Sequence, residues 1–290
     1  MRQPLFIICP GRTFSSVVCS AIGQHPEAYG LPEVNLFVRD TVGELMASGR
    51  VGAITGLKRT IAELNFGAQT VETVEAATAW IEERGAMSGA QMLRLLGELS
   101  GGRMIVDKTP TNSQEKALLR IAEAFPEARF LHLTRHPRAT LRSQYKAIQS
   151  RRGKIPRKML IEATGRWLER HRWLVEFGAA LGPGQYLCLH GEWFFEDPRR
   201  ILEQVCDWAE LSRAPGAVER MMHPEESPYA RPGPENAPYG NNPGFMENPH
   251  LRIGAPSAET LDGPLEWLDG LDVYFDAETR QLAHQLGYAG

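Results

Sequence analysis

The sequence predicts an α/β fold, a central and mainly parallel sheet flanked by helices in three layers, on three observations. Short apolar runs bounded by turn signals recur at Leu5 to Cys9, Arg103 to Val106, Arg129 to Leu133 and Gln185 to Leu189. Stretches with helical spacing lie between them, which is the alternation that a parallel sheet covered on both faces requires. The chain is 290 residues long and 42% hydrophobic, enough for one compact unit spanning residues 1–290.

Taken in order, the first strand runs into a polar turn and then a helix with Val17, Val18, Ala21 and Ile22 on one face. His25 and Pro26 mark a turn, and Ala28 to Leu31 read as a short second strand. Residues 40–100 carry helical patterns at Thr41 to Ala47, Val74 to Arg84 and Gly89 to Leu99 without a clear strand, and read as a helical insertion. After the strand at Arg103 comes a helix through Ala117, Leu118, Ile121 and Ala122, and after the strand at Arg129 a helix carrying Ser143. Residues 157–180 fit one long helix with Trp167, Leu168, Trp173, Leu174 and Phe177 inward. Asp197 and Pro198 read as the cap and first turn of another, reaching Leu211. His223 to Ala258 is dense in proline and glycine, the composition of a long functional lid or of a disordered loop.

A net charge of −3 gives no global field that would draw the chain to nucleic acid or an acidic membrane, so any anion site must be local. The apolar stretch near the N-terminus is too short for a signal peptide, and no run of about 18 apolar residues forms a membrane span. Cys9, Cys19, Cys188 and Cys206 have no metal-ligand spacing and fall in predicted strands and helices. A soluble protein in a reducing cytoplasm is expected.

In open parallel sheets, ligands bind at the carboxyl edge, so the chemistry should lie just after each strand. After the first comes Gly11-Arg12-Thr13-Phe14-Ser15-Ser16. Glycine permits a sharp turn, the next N–H groups face the helix mouth, the hydroxyls of Thr13, Ser15 and Ser16 add donors, and Arg12 adds a forked charge. This is a P-loop-like cradle without the lysine and metal-binding hydroxyl of a nucleoside triphosphatase loop. An ordinary helix cap would use the same residue types. After the third strand comes Asp107-Lys108-Thr109-Pro110, and after the fourth Thr134-Arg135-His136-Pro137-Arg138, with Ser143 about two turns along the next helix. Each cation alone could be a solvated surface group, but three successive strand ends bring Arg12, Lys108 and Arg135 to one edge. Two anion sites on one sheet point to a ligand with phosphates at opposite ends.

On these motifs the chain resembles the sulfotransferases that use 3′-phosphoadenosine 5′-phosphosulfate (PAPS). Gly11 to Ser16 is similar to that family's Pro-Arg-Ser-Gly-Thr-Thr loop for the 5′-phosphosulfate, with Gly11 for Pro, Thr13 for Ser and Phe14 for Gly. Leu133 to Arg138 through Ser143 is similar to its 3′-phosphate motif, Asp107 to Pro110 to a third segment, and Glu192 to Leu211 to a later strand-to-helix segment. The resemblance implies PAPS as co-substrate, adenosine 3′,5′-bisphosphate (PAP) as product, no metal, and nucleotide contacts from Arg12, Thr13, Phe14, Ser15, Ser16, Arg135 and Ser143. It makes Arg12 and Lys108 stabilisers of the leaving phosphate, as fixed cations where charge accumulates would be.

The second strand returns the chain to the carboxyl edge at Glu33, where glutamate-dependent sulfotransferases carry their base; pairing with Arg12 or capping the next helix with Asn35 are the structural alternatives. A histidine base would suit neutral pH, but His25 and His136 precede prolines in turns, and His132 and His190 fall in strands. The basic residues Arg142, Lys146, Arg151, Arg152, Lys154, Arg157 and Lys158 read as a solvated face, or as contacts to the cofactor or an acidic carrier bearing the acceptor. Tyr229, Tyr239 and Phe245 could close over adenine or acceptor, or pin their loop. The expected activity is sulfonate transfer to a hydroxyl or amine of a small-molecule, lipid-like or carrier-bound acceptor. A kinase-like phosphotransferase and an inactive nucleotide-binding module are the competing classes.

Overall fold

Runs with almost no polar side chain on either face need cover on both sides, and that is how the strands are used. The computed structural model describes residues 2–49, 51–152, 157–254, 259–268 and 272–288. Strands β1 (Leu5–Ile8), β2 (Ala28–Gly30), β3 (Met104–Asp107), β4 (Arg129–Thr134) and β5 (Tyr186–His190) form one sheet in the order β2-β3-β1-β4-β5, with every pair parallel. The mainly parallel sheet read from the sequence is parallel throughout.

Helices α1 (Ser15–Gly23), α2 (Val42–Ala47), α3 (Val51–Phe66), α4 (Val71–Glu82), α5 (Gly89–Leu99) and α6 (Glu115–Ala124) precede β4. After β4 come α7 (Pro137–Arg152) and α8 (Arg157–Ala179), and after β5 come α9 (Gly191–Glu196), α10 (Pro198–Ala209), α11 (Pro215–Met221), α12 (Pro243–Glu247) and α13 (Ala277–Gln285). Successive strand residues point to opposite faces, so Phe6 and Ile8 enter one core, shared with the helical insertion, and Leu5 and Ile7 enter the other, shared with α1, α10 and α11. These two cores and the sheet give the three layers. A further cluster packs Leu141 and Trp167 against Leu261, Leu265, Phe275 and Tyr288 near the C-terminus. Arg138 helps to hold that segment, donating to the carbonyls of Thr260, Asp262, Gly263 and Pro264. Among the described residues no helix is long and apolar enough to cross a membrane.

The insertion contains a helix, α3, for which residues 51–66 give a weak pattern. Gly52, Gly56, Thr55 and Thr60 dilute its apolar spacing. Gly56 is there for contact: a Cβ on it would lie 2.1 Å from the Glu33 carbonyl oxygen. Residues 223–254 are packed along the molecule rather than looped out, burying Tyr229, Ala230, Ala237, Phe245 and Met246. Arg59, itself buried, holds this segment by donating to the carbonyls of Arg231 (2.8 Å) and Tyr239 (3.0 Å), and its Nε donates to Gln69 Oε1 (2.6 Å). Residues 255–258 of the proline-rich stretch, and Lys154 of the basic run, lie outside the described residues. Arg142 of that run is not a solvated cation, since Glu259 and Glu266 both pair with it.

The strand histidine His132 sits in a buried chain of rings. Its Nδ1 bonds the Tyr186 hydroxyl at 2.6 Å and its Nε2 meets His171 Nδ1 at 2.8 Å, so both nitrogens of His132 are satisfied with the rings neutral, while His171 Nε2 is buried without a partner. Burial pushes the His132 pKa down to about 3 and that of His171 well below its usual value. Both folded values lie below the unfolded one, so the unfolded chain takes the proton first. Stability is therefore complete above about pH 6.5 and declines as pH falls, by up to about 1.4 kcal/mol per pH unit for each histidine. Urea midpoints measured from pH 7.5 to 5 should fall more steeply for the native chain than for His171→Phe; parallel curves would remove the pair from the acid response.

Candidate active site

The β1–α1 loop follows a strand at the centre of the sheet, and its β4–α7 neighbour follows the adjacent strand, so both open at the same carboxyl edge. Helix α1 begins unusually. Its N-cap is Phe14 in the left-handed region (φ 65°) with no side-chain cap, and Arg12 is also left-handed (φ 77°). A serine or threonine cap is thus not what Thr13, Ser15 and Ser16 provide. The Thr13 hydroxyl, expected to face an anion, is buried and closes the turn by donating to the Pro10 carbonyl.

The two loops are tied to each other. Arg135 Nη1 donates to the Arg12 carbonyl at 2.8 Å, Arg12 Nε donates to Ser143 Oγ at 3.0 Å, and Gln144 Nε2 donates to the Gly11 carbonyl at 2.9 Å. Arg12, read from the sequence as a 5′-side cation, therefore also touches the serine of the second motif. The Arg135 carbonyl accepts from Trp167 Nε1, and its guanidinium carbon lies 4.1 Å from the centre of the Phe14 ring. Burial lowers the Arg135 pKa, with Glu192 opposing that and Arg12 adding to it. Arg135 Nε is buried without a hydrogen-bond partner.

Arg12, Thr13, Phe14, Ser15, Ser16, Arg135 and Ser143 line one cavity of about 710 Å³, a volume suited to a nucleotide. Its other wall comes from the proline-rich segment, through Asn242, Phe245, His250 and Arg252, and Phe195 of α9 completes it. Of the loop aromatics singled out in the sequence, Phe245 lines the cavity, Tyr229 is buried with its hydroxyl 2.8 Å from that of Tyr29, and Tyr239 is exposed. Arg252 and Phe195 escaped sequence reasoning. The available signal was an arginine two residues before Gly254, and nothing in its spacing connects it to loops over 100 positions away.

Lys108 and Glu33 meet, although neither lines the cavity. The Lys108 side chain is 1% exposed, and its ammonium donates to Glu33 Oε1 at 3.0 Å and to Ser16 Oγ at 3.2 Å. The Glu33 side chain is 32% exposed, so its carboxylate joins a buried cation to solvent. Of the structural alternatives for Glu33, pairing with Arg12 gives way to this pair with Lys108. Its backbone is held by a bond from Glu33 N to the Gly240 carbonyl at 2.7 Å. Asp107 orders the turn beneath, accepting from Thr109 N, Thr109 Oγ1 and Asn112 Nδ2. Ser16 Oγ accepts from Lys108 and, at a long 3.4 Å, from Asn242 N, which uses both lone pairs and leaves its proton for a third group. His25 and His136 fill structural positions: His25 bonds the Ser212 carbonyl, and His136 Nδ1 accepts from Arg138 N, with burial and three arginines lowering its pKa to about 4.

Comparison with solved structures returns the same architecture. The sulfotransferase domain from the Synechococcus PCC 7002 olefin synthase is 22% identical, with 100% of this chain and 97% of that one covered and a TM-score of 0.76. The sulfotransferase domain from the curacin biosynthetic pathway is 21% identical, with 100% and 99% covered and a TM-score of 0.74. A Mycobacterium tuberculosis sulfotransferase is 15% identical over 76% of this chain and 71% of its own, with a TM-score of 0.52. At these identities the likeness is one of fold. No curated protein matches the sequence. The model of the sulfotransferase family matches residues 4–215, which takes in the β1–α1 loop, Glu33, Lys108 and the Arg135 to Ser143 segment, and the chain belongs to that family.

Proposed function

We propose that residues 1–290 act as one sulfotransferase domain that moves a sulfonate group from PAPS to a hydroxyl or amine of a small-molecule, lipid-like or carrier-bound acceptor, releasing PAP. The observation that carries this reading is the single cavity lined by both candidate phosphate-binding loops, with the Lys108–Glu33 pair reaching it through Ser16. The donor set fits a nucleotide with two anionic ends. Arg12, Arg135 and Arg252 all line the cavity, Arg135 Nε has no protein partner, and the first residues of the nine-residue α1, Ser15 and Ser16, line it too. Bound there, PAPS supplies an activated sulfonyl group on a phosphate leaving group.

The residues of the chain would then divide the work. Arg135 and Ser143 hold the 3′-phosphate, and Arg12, Ser15 and Ser16 hold the 5′ end. Glu33 takes the proton of the acceptor, being the carboxylate of the pair that solvent reaches. Lys108 contributes its charge from behind, and the Ser16 proton, unused within the protein, is the donor available to the oxygen on which charge accumulates.

Thermal unfolding tests the nucleotide. At a hundredfold excess over Kd, PAP should stabilise the chain by about 2.7 kcal/mol and raise Tm by several degrees, while ATP with magnesium does less. A larger shift with ATP and magnesium would favour a phosphotransferase, and no shift with PAP would remove the reading.

A further inference from the structure

Phe14 stands where the resemblance places a glycine, and its backbone explains why glycine would be the easier residue. At φ 65° a side chain with a Cβ is strained, and Phe14 bears that strain without capping the helix it begins. Three surrounding features are arranged around its ring. The Arg135 guanidinium lies over one face at 4.1 Å from the centroid, Phe195 packs edge-on with centroids 4.8 Å apart, and the first residue of α9 is a glycine. A Cβ on Gly191 would come within 2.6 Å of Phe14 Cδ2, so a side chain there would displace the ring. The substitution at 14 is accommodated by the absence of a side chain at 191.

We propose that Phe14 is a positioning residue for Arg135: its ring is a platform that fixes the guanidinium for the 3′-phosphate and locks the β4–α7 loop to the β1–α1 loop. The proposal rests on the reading of the cavity as the PAPS site. A guanidinium lying over a ring face keeps the N–H groups directed away from the ring free for an anion. One of those groups is spent on the Arg12 carbonyl, which fixes the rotation of the fork over the ring, and Nε remains without a partner. A long arginine held this way before binding loses less freedom when the anion arrives, which is where a platform adds affinity. A residue that only filled space would have no reason to sit under the cation.

The test is the discrimination between PAP and AMP, which lacks the 3′-phosphate, as the ratio of their Kd values measured by calorimetry. Phe14→Leu keeps the Cβ and the apolar contact with Phe195 but removes the π face; it should lower the ratio about tenfold while the AMP Kd moves less than about threefold. Phe14→Tyr should retain the native ratio. Phe14→Gly should lower the ratio as Phe14→Leu does, although it relieves the left-handed strain and so retains more of the native Tm than Phe14→Leu. In an Arg135→Ala background, Phe14→Leu should change the ratio no further, the signature of action through that arginine. An unchanged ratio in Phe14→Leu and Phe14→Gly would make Phe14 a filler and overturn the proposal. Equal losses for PAP and AMP would also overturn it, placing the ring against the nucleoside instead. If the native chain itself shows no preference for PAP, the PAPS reading falls and the proposal with it; a native preference that survives the substitutions sinks the proposal alone.

Discussion

Glu33→Gln is expected to lower kcat for PAP release by about 10²–10⁴-fold, the range associated with losing a positioned general base. The amide keeps the shape of the side chain, and its oxygen can still accept from Lys108 Nζ, so the buried ammonium is not stranded. Glu33 does not line the nucleotide cavity, so the affinity for PAP should stay within about threefold of native. The effect should therefore fall on kcat and leave nucleotide binding intact. Full turnover in the glutamine variant would move the base elsewhere. His132 and His171 are buried and His136 is occupied in its own turn, so His250, which lines the cavity, is the histidine that would then be substituted.

Arg59→Met is expected to cost about 3–5 kcal/mol of stability, although it lies outside every motif. The native guanidinium is buried and satisfies the carbonyls of Arg231 and Tyr239 together with Gln69 Oε1. Methionine fills much of the volume but donates nothing, and each of these partly buried acceptors left unmatched costs about 1–3 kcal/mol at most. Burial already pulls the Arg59 pKa down, and part of that desolvation cost is recovered on removing the charge, which keeps the total below the simple sum. A fall in Tm of roughly 10 °C should result. Arg59→Lys should recover only part of the loss, because a point charge cannot span acceptors that lie in different directions. A Tm within about 2 °C of native would show that other contacts hold residues 228–239. The carbonyl of Gly240, next to the anchored Tyr239, accepts from Glu33 N, so turnover should weaken along with stability.

The sheet was readable because its strands are short, apolar on both faces and bounded by turns. Strand positions read from the pattern lie within a residue or two of those found, and Asp197 does cap α10 by accepting from Arg200 N. The loops at the strand ends also placed Arg12, Arg135 and Ser143 together, since the positions of loops on a parallel sheet are dictated by topology. The features that escaped the sequence have a common physical origin. Helix α3 was obscured by its glycines and threonines, among which Gly56 answers to the Glu33 backbone rather than to helical propensity. The far wall of the cavity comes from a segment without regular structure, where composition signals a loop but not its course. The Lys108–Ser16–Glu33 chain joins three elements, and only coordinates show that the ammonium bonds the loop serine and the glutamate at once.

The flush contact of Gly56 with Glu33 bears on any effort to broaden what the protein accepts. The main chain of the acidic residue rests directly on a helix with no side chain between them, so the reach of the carboxylate is set by two backbones in van der Waals contact. Libraries that randomise position 56 to enlarge room for new acceptors would shift the acid instead. Variation is better placed on the outward-facing turns of that helix, which can remodel the approach for incoming molecules while the spacing of the chemistry stays as inherited.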